Sequence, residues 1–444
     1  MNICVVGAGF VGLVTSVFFA EMGHNVICID KDETKINKIN HGNPPFFEKD
    51  LEKKLRSTVK KNLEASSNLE NAVRNSKYIF ICVGTPSQND GGIDLSYLEN
   101  VSDALGAILQ RLDKPRTIII KSTVVPGTTR KVFINSIENK YKLKNGKDYF
   151  VSMNPEFLRE GSAVSDMYNP DRIIVGADED ITQENVLALY SKISEIKKIK
   201  TSIETAEISK YCSNLFYATL ISFSNEIASI CQNIENTEIE KVFRSLYLDR
   251  RLLINEKGKS AENIGVTSYI WPGIGFGGSC FPKDLKALIN FSESNDVKVP
   301  ILKSVELTNN LQSKLLISKF IEKFKPKVLG ILGLSFKPDT DDIRESKSIE
   351  IINVVKRQNL KLLVFDPLVK KIPSLNENCF QNSALDVIQQ CDALVIATNW
   401  SEFKKVEIFE AINKKKCPLL DCRLSMIDYK NDLLGEYFGP GIPF

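Results

Sequence analysis

Histidine is almost absent from this sequence, with only His24 and His41 among 444 residues. Histidine is the side chain that most often performs acid–base catalysis near neutral pH, and it is the commonest protein ligand of metals. Its scarcity argues against histidine-based proton transfer and against a histidine-rich metal site, and no metal site is predicted. If the protein is an enzyme, other side chains move its protons.

The chain also lacks a charge imbalance and a long apolar run. Lysine and arginine number 58 against 55 acidic residues, a formal net charge of +3. This balance gives no reason to expect a nucleic-acid or a membrane partner. No apolar run reaches the ~18 residues that a membrane span requires. The sequence enters an apolar, strand-like run immediately after Met1-Asn2, which leaves no room for a signal peptide.

Cysteine is present, but its distribution does not suggest disulfides. The ten cysteines are scattered, and Cys4, Cys28 and Cys82 fall inside apolar, strand-like runs. Thiols buried in this way are typical of a reducing compartment. We therefore expect a cytoplasmic protein.

Short apolar strands alternate with amphipathic helices over residues 1–200. The predicted strands are Ile3–Val6, Val26–Ile29, Tyr78–Val83, Thr117–Ile120, Phe150–Met153 and Arg172–Val175. A similar pattern begins again at Lys327, with strands Val328–Leu332, Leu362–Phe365 and Ala393–Ala397. The alternation predicts an α/β protein with two Rossmann-like, doubly wound parallel-sheet domains.

A long central helix is predicted to join these two domains. Apolar residues recur at helical spacing from Ile208 to Ile230, so the helix that begins near Thr201 should run for about eight turns. One small domain cannot cover a helix that is apolar on several faces, and we expect it to pack against its copy in a homodimer or higher homo-oligomer. The predicted domains are 1–200, 201–315 and 316–444.

A glycine-rich turn follows the first predicted strand and precedes a helix. In Gly7-Ala8-Gly9-Phe10-Val11-Gly12, the first glycine permits the turn, the second lets the backbone approach a pyrophosphate, and the third lets the helix pack closely. Asp30 ends the second strand, where a carboxylate binds ribose hydroxyls and repels a 2′-phosphate. The turn therefore indicates NAD rather than NADP; a purely structural turn is the alternative.

Three further segments follow predicted strands, at the edge where doubly wound sheets bind ligands. Gly84–Pro86 and Ser122–Thr128 each have turn chemistry as an equally good explanation. Asn154–Gly161 carries Glu156 and Glu160 with an arginine between them, which favours ligand binding.

Lys210 and Asn214 are four residues apart on the long helix and share a face. Lys210 lies in a mostly apolar stretch, and a partly buried lysine is suited to proton chemistry. A solvated surface pair is the alternative.

The segment Gly273–Asp284 is the most informative in the sequence. Its glycines allow the backbone to lie against a ligand, and Pro282 is a favourable first helical residue. Cys280 then lies at a helix N-terminus, where the dipole and Lys283 favour the nucleophilic thiolate. A buried, inert thiol is the alternative.

Farther along, Lys337 and Arg344 follow the first strand of the second sheet, where they could hold phosphates or a cofactor.

Taken in this order, from Gly7 to Trp400, the motifs resemble the UDP-glucose/GDP-mannose dehydrogenase family. That family oxidises the C6 hydroxyl of a nucleotide sugar to a carboxylate with two NAD per turnover. The resemblance implies that the Cys280 thiol traps the aldehyde as a thiohemiacetal, which is oxidised to a thioester. It implies that three side chains hold the oxyanion and assist proton transfer, namely Lys210, Asn214 and Asp284. It also implies that Thr123 and Glu156 position the catalytic water.

The resemblance also assigns ligand contacts, with NAD on the first domain and the nucleotide sugar on the third. Besides the glycine turn, the residues that match NAD contacts are Val11, Asp30, Lys35, Thr85, Thr123, Glu160, Lys283 and Arg344. The residues that match nucleotide-sugar contacts are Glu156, Phe157, Leu158, Arg159, Glu160, Lys210, Asn214, Tyr269, Ile270, Trp271, Pro272, Gly273, Gly277 and Lys337.

The sugar itself is indicated by weaker signals. The segment Asn169–Gly176 is similar to the UDP-glucose branch of the family, and GDP-mannose or a UDP-N-acetylhexosamine are the alternatives. The family usually has Arg-Ile-Gly before the catalytic loop, and its arginine reaches a neighbouring subunit's sugar. Here Asn263-Ile264-Gly265 is the nearest match, and Arg250 or Arg251 could substitute from a shifted position.

Two other classes of protein share part of this pattern. A non-catalytic NAD-binding scaffold would have no use for Cys280, Lys210, Asn214 and Asp284 together. A simple 3-hydroxyacid dehydrogenase shares the glycine turn and the helical middle, but it has no need for a glycine-rich cysteine loop.

Overall fold

The fold is described from a computed structural model, which covers residues 1–193, 196–249, 252 and 265–444. The chain divides into two compact units, Met1–Ser213 and Asn214–Phe444. The boundary falls inside the long central helix. The predicted division into the three domains 1–200, 201–315 and 316–444 stays a prediction.

An eight-stranded sheet forms the centre of the first unit. Its strands are β1 (Asn2–Val6), β2 (Asn25–Ile29), β3 (Leu63–Ser66), β4 (Tyr78–Ile81), β5 (Thr117–Ile120), β6 (Phe150–Met153), β7 (Arg172–Ala177) and β8 (Lys197–Thr201). Their order across the sheet is β3-β2-β1-β4-β5-β6-β7-β8. The strand order reverses at β1: β2 and β3 lie on one side of β1, and β4 lies on the other side. The carboxyl ends of the strands at such a reversal form the usual ligand crevice.

The predicted Rossmann-like class is confirmed, with one departure from parallel pairing. β6 and β7 pair antiparallel, while β7 and β8 are parallel to each other. The connection from β6 to β7 contains a helix of only six residues. β7 therefore starts at the edge of the sheet where β6 ends, and the two strands run in opposite directions.

In the described part of the first unit, helices pack around this sheet, and the last of them leaves it. They are α1 (Phe10–Glu21), α2 (Glu33–Asn40), α3 (Leu51–Thr58), α4 (Leu69–Asn75), α5 (Ser96–Leu109), α6 (Asn135–Tyr141), α7 (Ala163–Tyr168), α8 (Asp180–Ala188) and α9 (Ile203–Cys231). A short π-helical segment, Thr129–Ile134, leads directly into α6. The core lies where α1 buries Leu13 and Phe18 against the sheet residues Val5 and Phe80.

The predicted long helix is confirmed as α9, which has 29 residues and continues into the second unit.

The second unit has a five-stranded sheet with the order β10-β9-β11-β12-β13, and every neighbouring pair is parallel. Its strands are β9 (Val328–Leu332), β10 (Lys361–Phe365), β11 (Ala393–Ile396), β12 (Leu419–Asp421) and β13 (Tyr437–Phe438). Its helices after α9 are α10 (Ile239–Tyr247), α11 (Phe281–Glu293), α12 (Pro300–Phe324), α13 (Lys347–Arg357), α14 (Ala384–Gln390) and α15 (Val406–Lys415).

The two sheets repeat one turn geometry, as the sequence pattern indicated. Gly7 after β1 has φ +101° and Gly333 after β9 has φ +92°, a conformation that side chains disfavour. In each unit the carboxylate that ends the neighbouring strand accepts a backbone N–H from this turn: Asp30 from Ala8 at 2.9 Å, and Asp366 from Leu334 at 2.7 Å. Within the described part of the chain, no helix is both long and apolar enough to cross a bilayer.

Candidate active site

The glycine turn after β1 is shaped for the close approach of a ligand. A Cβ on Gly7 would lie 2.7 Å from the Cys82 carbonyl oxygen, and one on Gly12 would lie 1.8 Å from that of Gly7. These two glycines are therefore required by packing. A Cβ on Gly9 would meet no atom within 4 Å, so space is open in front of the N-terminus of α1. An exposed helix N-terminus beside open space suits a pyrophosphate.

Asp30 places a carboxylate beside this turn. Its Oδ2 accepts the Ala8 N–H at 2.9 Å, and its Oδ1 accepts the Asp32 N–H at 3.0 Å. The Lys35 Nζ lies 3.9 Å from Oδ2 on a side chain that is 41% exposed. Carboxylate lone pairs remain to accept ribose hydroxyls, so the turn and Asp30 together fit NAD.

The segments after β4 and β5 are joined at the same edge of the sheet. Thr85 donates its hydroxyl to the Thr123 carbonyl oxygen at 2.8 Å. Ser122 donates its hydroxyl to the Val83 carbonyl oxygen at 2.7 Å. The structure thus brings together Thr85 and Thr123, two of the predicted site residues.

A buried ion pair joins the segment after β6 to α9. The Lys210 Nζ lies 3.0 Å from the Glu156 Oε1, and the two side chains are 3% and 6% exposed. The second oxygen, Oε2, accepts the Leu158 N–H at 2.6 Å. The Phe157 ring lies below two cations, with the Arg172 guanidinium 4.0 Å and the Lys210 ammonium 5.5 Å from its centroid. The expected burial of Lys210 is confirmed, and Glu156 neutralises its charge.

The rest of the segment after β6 is held by carboxylates. Arg159 is largely exposed and pairs with Asp166, Nη2 to Oδ1 at 2.5 Å. The buried Glu48 accepts the N–H groups of Gly161 and Ala163 at 2.7 and 2.9 Å. Glu48 could not be predicted from a local sequence pattern, because its contacts lie more than a hundred residues away along the chain.

In the second unit, Cys280 is the N-cap residue of α11, with Pro282 in the first turn of that helix. The predicted position at a helix N-terminus is confirmed. The Cys280 side chain is partly exposed, and its Sγ lies 3.6 Å from the Ser279 Oγ. A Cβ on Gly277 would lie 2.2 Å from the Glu345 carbonyl oxygen, so only glycine allows the loop to pass this backbone.

Asp284, one turn into α11, is buried between two donors. Its Oδ2 accepts the Asn214 Nδ2–H at 2.6 Å, and its Oδ1 accepts the Lys283 Nζ–H at 2.6 Å. Its backbone N–H donates to the Cys280 carbonyl oxygen at 2.8 Å. The geometry thus brings Asn214 of α9 into contact with Asp284, beside Lys283, on the first turn of the helix that carries the thiol.

Buried amides hold the glycine-rich loop from both sides. Gly273 donates its N–H to the Asn225 Oδ1 at 2.8 Å, and its carbonyl oxygen accepts the Gln312 Nε2–H at 3.0 Å. Asn309 bonds both the N–H and the carbonyl oxygen of Phe276, at 2.7 and 3.1 Å. Asn225, Asn309 and Gln312 were not predicted as site residues. An amide side chain inside the apolar pattern of a long helix is the sequence signal that could have indicated them.

The predicted nucleotide-sugar segment 269–273 packs on aromatic rings and on Arg423. The Tyr269 ring stacks on Tyr217, with centroids 4.2 Å apart. Trp271 donates its Nε1–H to the Arg423 carbonyl oxygen at 3.3 Å, and Arg423 donates its Nη1–H to the Gly275 carbonyl oxygen at 3.0 Å. The other two predicted residues of this segment are buried, namely Ile270 and Pro272.

Two predicted cations follow β9. Arg344 pairs with Asp342, Nη2 to Oδ2 at 2.7 Å, and its carbonyl oxygen accepts the Gly278 N–H at 2.9 Å. The Lys337 Nζ lies 5.6 Å from the centroid of the Phe336 ring. The positions Arg250, Arg251, Asn263 and Ile264, which bear on the sugar, lie outside the described residues.

Comparison with known proteins identifies the family. Three domain models of the UDP-glucose/GDP-mannose dehydrogenase family match the chain: the NAD binding domain over residues 1–194, the central domain over 204–311 and the UDP binding domain over 330–428. Together they cover most of the sequence.

Individual relatives agree over the full length. The UDP-glucose 6-dehydrogenase of Rickettsia conorii is 36% identical over 445 aligned residues, which cover 98% of this chain and 96% of that protein. The structure of a UDP-glucose dehydrogenase from Pyrobaculum islandicum has a TM-score of 0.88 at 30% identity, covering 99% of this chain and 97% of that one. A UDP-D-ManNAc dehydrogenase from Pyrococcus horikoshii has a TM-score of 0.85 at 26% identity, covering 99% of each chain. The chain therefore belongs to the UDP-glucose/GDP-mannose dehydrogenase family, and it is an NAD-dependent nucleotide-sugar dehydrogenase.

Proposed function

We propose that the protein oxidises the C6 hydroxyl of UDP-glucose to the carboxylate of UDP-glucuronate, with Cys280 as the covalent carrier between two oxidations. The observation that carries the proposal is the thiol at the N-terminus of α11, one helical turn from the buried Asp284. The named substrates of the relatives at 30% identity or more support UDP-glucose as the sugar.

The glycine turn and Asp30 would bind the cofactor in the first unit. Gly9 leaves room for the pyrophosphate, and Asp30 accepts hydrogen bonds from the adenosine ribose. NAD, when bound, supplies the hydride acceptor for both oxidations. By the resemblance to the family, Val11, Lys35 and Thr85 are further contacts to it.

The reacting thiol, Cys280, lies at the N-terminus of α11. Backbone N–H groups at a helix N-terminus favour the thiolate, which adds to the C6 aldehyde carbon and forms a thiohemiacetal. Loss of a second hydride from that carbon leaves a thioester on Cys280. The Asn214 amide and the Lys210 ammonium are the donors for the oxyanion, while Asp284, held by Asn214 and Lys283, assists the proton transfer.

Water then releases the acid. We assign the positioning of this water to Thr123 and Glu156, and the fixed orientation of the Glu156 carboxylate by Lys210 and the Leu158 N–H supports the assignment. Attack on the thioester carbon expels the Cys280 thiolate. Overall, one hydroxyl, one water and two NAD yield one carboxylate, two NADH and three protons, and the aldehyde is never free.

The nucleotide sugar would be held by the residues of segments 156–160 and 269–273 with Gly277 and Lys337. Buried amides on α9 and α12 fix the backbone at Gly273 and Phe276, which supports a preorganised loop. GDP-mannose and UDP-N-acetylhexosamines remain the alternative substrates, and the Pyrococcus horikoshii relative is named for an N-acetylhexosamine.

A panel of nucleotide sugars tests the substrate. We expect initial rates of NADH formation with UDP-glucose to exceed those with GDP-mannose and with UDP-N-acetylhexosamines, and two NADH to form per sugar acid. Brisk turnover of another sugar without turnover of UDP-glucose would contradict the substrate but keep the chemistry. A single NADH per product, with free aldehyde, would contradict the thioester route.

Assembly and location are further proposals. Phe216, Phe223 and Ile230 follow one another at seven-residue spacing on α9, and each is about half exposed. Positions seven apart share a helix face, so they form an apolar stripe that supports a homodimer or higher homo-oligomer. All ten cysteines are free thiols, which supports a reducing, cytoplasmic location.

A further inference from the structure

Lys121 is a buried lysine with no part in the proposed chemistry. It follows β5 directly and is only 4% exposed. Its Nζ lies 3.1 Å from the Asn154 Oδ1 and 3.4 Å from the Asn154 carbonyl oxygen. Asn154 in turn follows β6 directly, so this contact links the carboxyl ends of two neighbouring strands.

Asn154 has two further buried hydrogen-bond partners. Its Oδ1 also accepts the Tyr190 hydroxyl at 2.7 Å, and its Nδ2–H donates to the Ile174 carbonyl oxygen at 2.8 Å. Thr123 lies two residues after Lys121, and Glu156 lies two residues after Asn154. The contact between Lys121 and Asn154 therefore sets the spacing of the two segments to which we assign the catalytic water.

The titratable groups that face Lys121 come from each neighbouring element. They are Cys82 after β4, Glu156 after β6 and Lys210 on α9. Burial lowers the pKa of Lys121 to about 8, an effect that Cys82 and Glu156 oppose and Lys210 reinforces. Burial raises the pKa of the Cys82 thiol to about 12, so this thiol is neutral near pH 7. Burial likewise raises the pKa of the Tyr190 hydroxyl, which donates as a neutral group.

Glu156 is therefore a buried carboxylate that forms an ion pair with Lys210 and interacts electrostatically with a second buried amine, Lys121. Removing an ammonium ion from water is unfavourable, and a well-packed apolar side chain would fill the same place at lower cost. A second buried cation near the ion pair keeps a positive charge close to Glu156. Glu156 therefore still has a positive neighbour when Lys210 loses its proton or when the Lys210 ammonium group donates to a substrate oxyanion.

We propose that Lys121 is a positioning residue of the dehydrogenase reaction: its ammonium ion ties the ends of β5 and β6 together through Asn154 and keeps Glu156 ionised while Lys210 acts on the substrate. The proposal rests on the proposed function, because it takes the roles of Glu156 and Lys210 from there. Lys121 itself touches neither substrate nor cofactor in this account.

Two substitutions in the full-length enzyme separate charge from structure. Lys121→Gln keeps a donor for Asn154 and removes the charge, while Lys121→Met removes both. Tyr190→Phe is the matched control, because it deletes the other hydrogen bond to the same Asn154 oxygen without changing any charge. The readouts are folding by circular dichroism, KM and kcat for UDP-glucose, and the dependence of kcat/KM on pH.

We expect the Lys121 variants to lower kcat at least about tenfold with KM nearly unchanged. Both limbs of the pH profile should move upward by about one pH unit, because the loss of a nearby cation makes the neighbouring groups hold their protons more tightly. Tyr190→Phe should leave both limbs in place. If Lys121→Met does not fold, the measurements on Lys121→Gln alone provide the test.

Unshifted limbs in a folded Lys121 variant, or an equal shift in Tyr190→Phe, would overturn the role of Lys121 while leaving the proposed function intact. Absence of turnover of any nucleotide sugar by the wild-type enzyme would instead overturn the proposed function, and the role of Lys121 with it.

Discussion

Lys210 and Glu156 form a buried ion pair, with Nζ 3.0 Å from Oε1 and neither side chain more than 6% exposed. Such a pair is poor evidence for stability, because the attraction must first offset the desolvation of both ions. Its value is that it holds a lysine and a carboxylate in one orientation at the end of β6. Stability and activity should therefore respond differently when the pair is removed.

The first prediction concerns this pair. Lys210→Met should lower the free energy of unfolding by about 3 kcal/mol, the low end for breaking a buried pair, because Lys121 remains as a cation near Glu156. The double variant Lys210→Met/Glu156→Leu should recover a large part of that loss and remain inactive. Urea unfolding and NADH formation measure the two effects. Full stability in Lys210→Met would show that the pair is not formed in solution.

Cofactor choice should depend on Asp30. We expect NAD to be preferred over NADP by at least about tenfold in kcat/KM, because the carboxylate repels a 2′-phosphate. Asp30→Asn should reduce the preference. Asp32→Asn, which alters the neighbouring carboxylate that caps α2, should retain it. Equal use of both cofactors by the wild-type enzyme would show that Lys31 or Lys35 overrides Asp30.

Cys280 should be required for the acid but not for binding. Cys280→Ala should abolish formation of the sugar acid while NAD binding and folding stay nearly intact, and the variant should still reduce a supplied 6-aldehyde with NADH. Cys280→Ser should also be severely impaired, because a hydroxyl ionises far less than a thiol. Product analysis and NADH stoichiometry measure this.

Cys379→Ala is the matched control for Cys280, because it removes another partly buried thiol, one outside the predicted site. It should behave as wild type. If Cys280→Ala makes the acid at a rate near wild type, Cys280 is only a structural thiol and the covalent mechanism is wrong.

The burial of Lys121 predicts a dependence of stability on pH. Its pKa is about 8 in the folded protein against 10.5 ordinarily, because burial disfavours the cation. Between these values the unfolded chain binds one more proton than the folded chain. The free energy of unfolding of wild type, relative to Lys121→Met, should therefore rise with pH in this window, by up to about 1.4 kcal/mol per pH unit.

Only the difference between the two proteins isolates this effect. Buried thiols such as Cys82, whose pKa is raised to about 12, make stability fall over the same pH range in both proteins. Urea unfolding at pH 7, 8, 9 and 10 gives the comparison. A difference that stays constant over this range would mean that Lys121 is not buried as a titrating amine.

The apolar stripe on α9 predicts an oligomer. Wild type should have at least a dimeric mass at micromolar concentration, and Phe223→Glu should weaken the assembly, because it places a charge in the centre of the stripe. Leu434→Glu, at another exposed apolar position, is the control and should leave the mass unchanged. Analytical ultracentrifugation decides, and a monomeric wild type would refute the proposal.

The fold class could be predicted because the central strands are buried on both faces. β4 and β5 read as continuous apolar runs, and all of their residues are buried. β8 lies at the edge of its sheet with mostly exposed lysines, β3 has an exposed glutamate within its four residues, and β12 and β13 have only three and two residues. Such strands lack a clear hydrophobic pattern, so pairing with the rest of the sheet was needed to reveal them.

The sequence by itself determined the features that depend on neighbouring residues. The Gly7–Gly12 turn and the position of Cys280 before Pro282 follow from backbone preferences over a few residues, and both are present in the structure. The roles of the site residues in catalysis and binding stay predictions.

Only the tertiary structure decided which charges and amides meet. Asn214 and Asp284 are 70 residues apart, and Lys121 and Asn154 are 33 apart, yet each pair is in hydrogen-bond contact and buried. A local pattern does not encode such partners, because the folding of the sheet and of α9 brings them together. Burial then makes their charges strong enough to matter, since an ion pair that water would screen at the surface is largely unscreened in the interior.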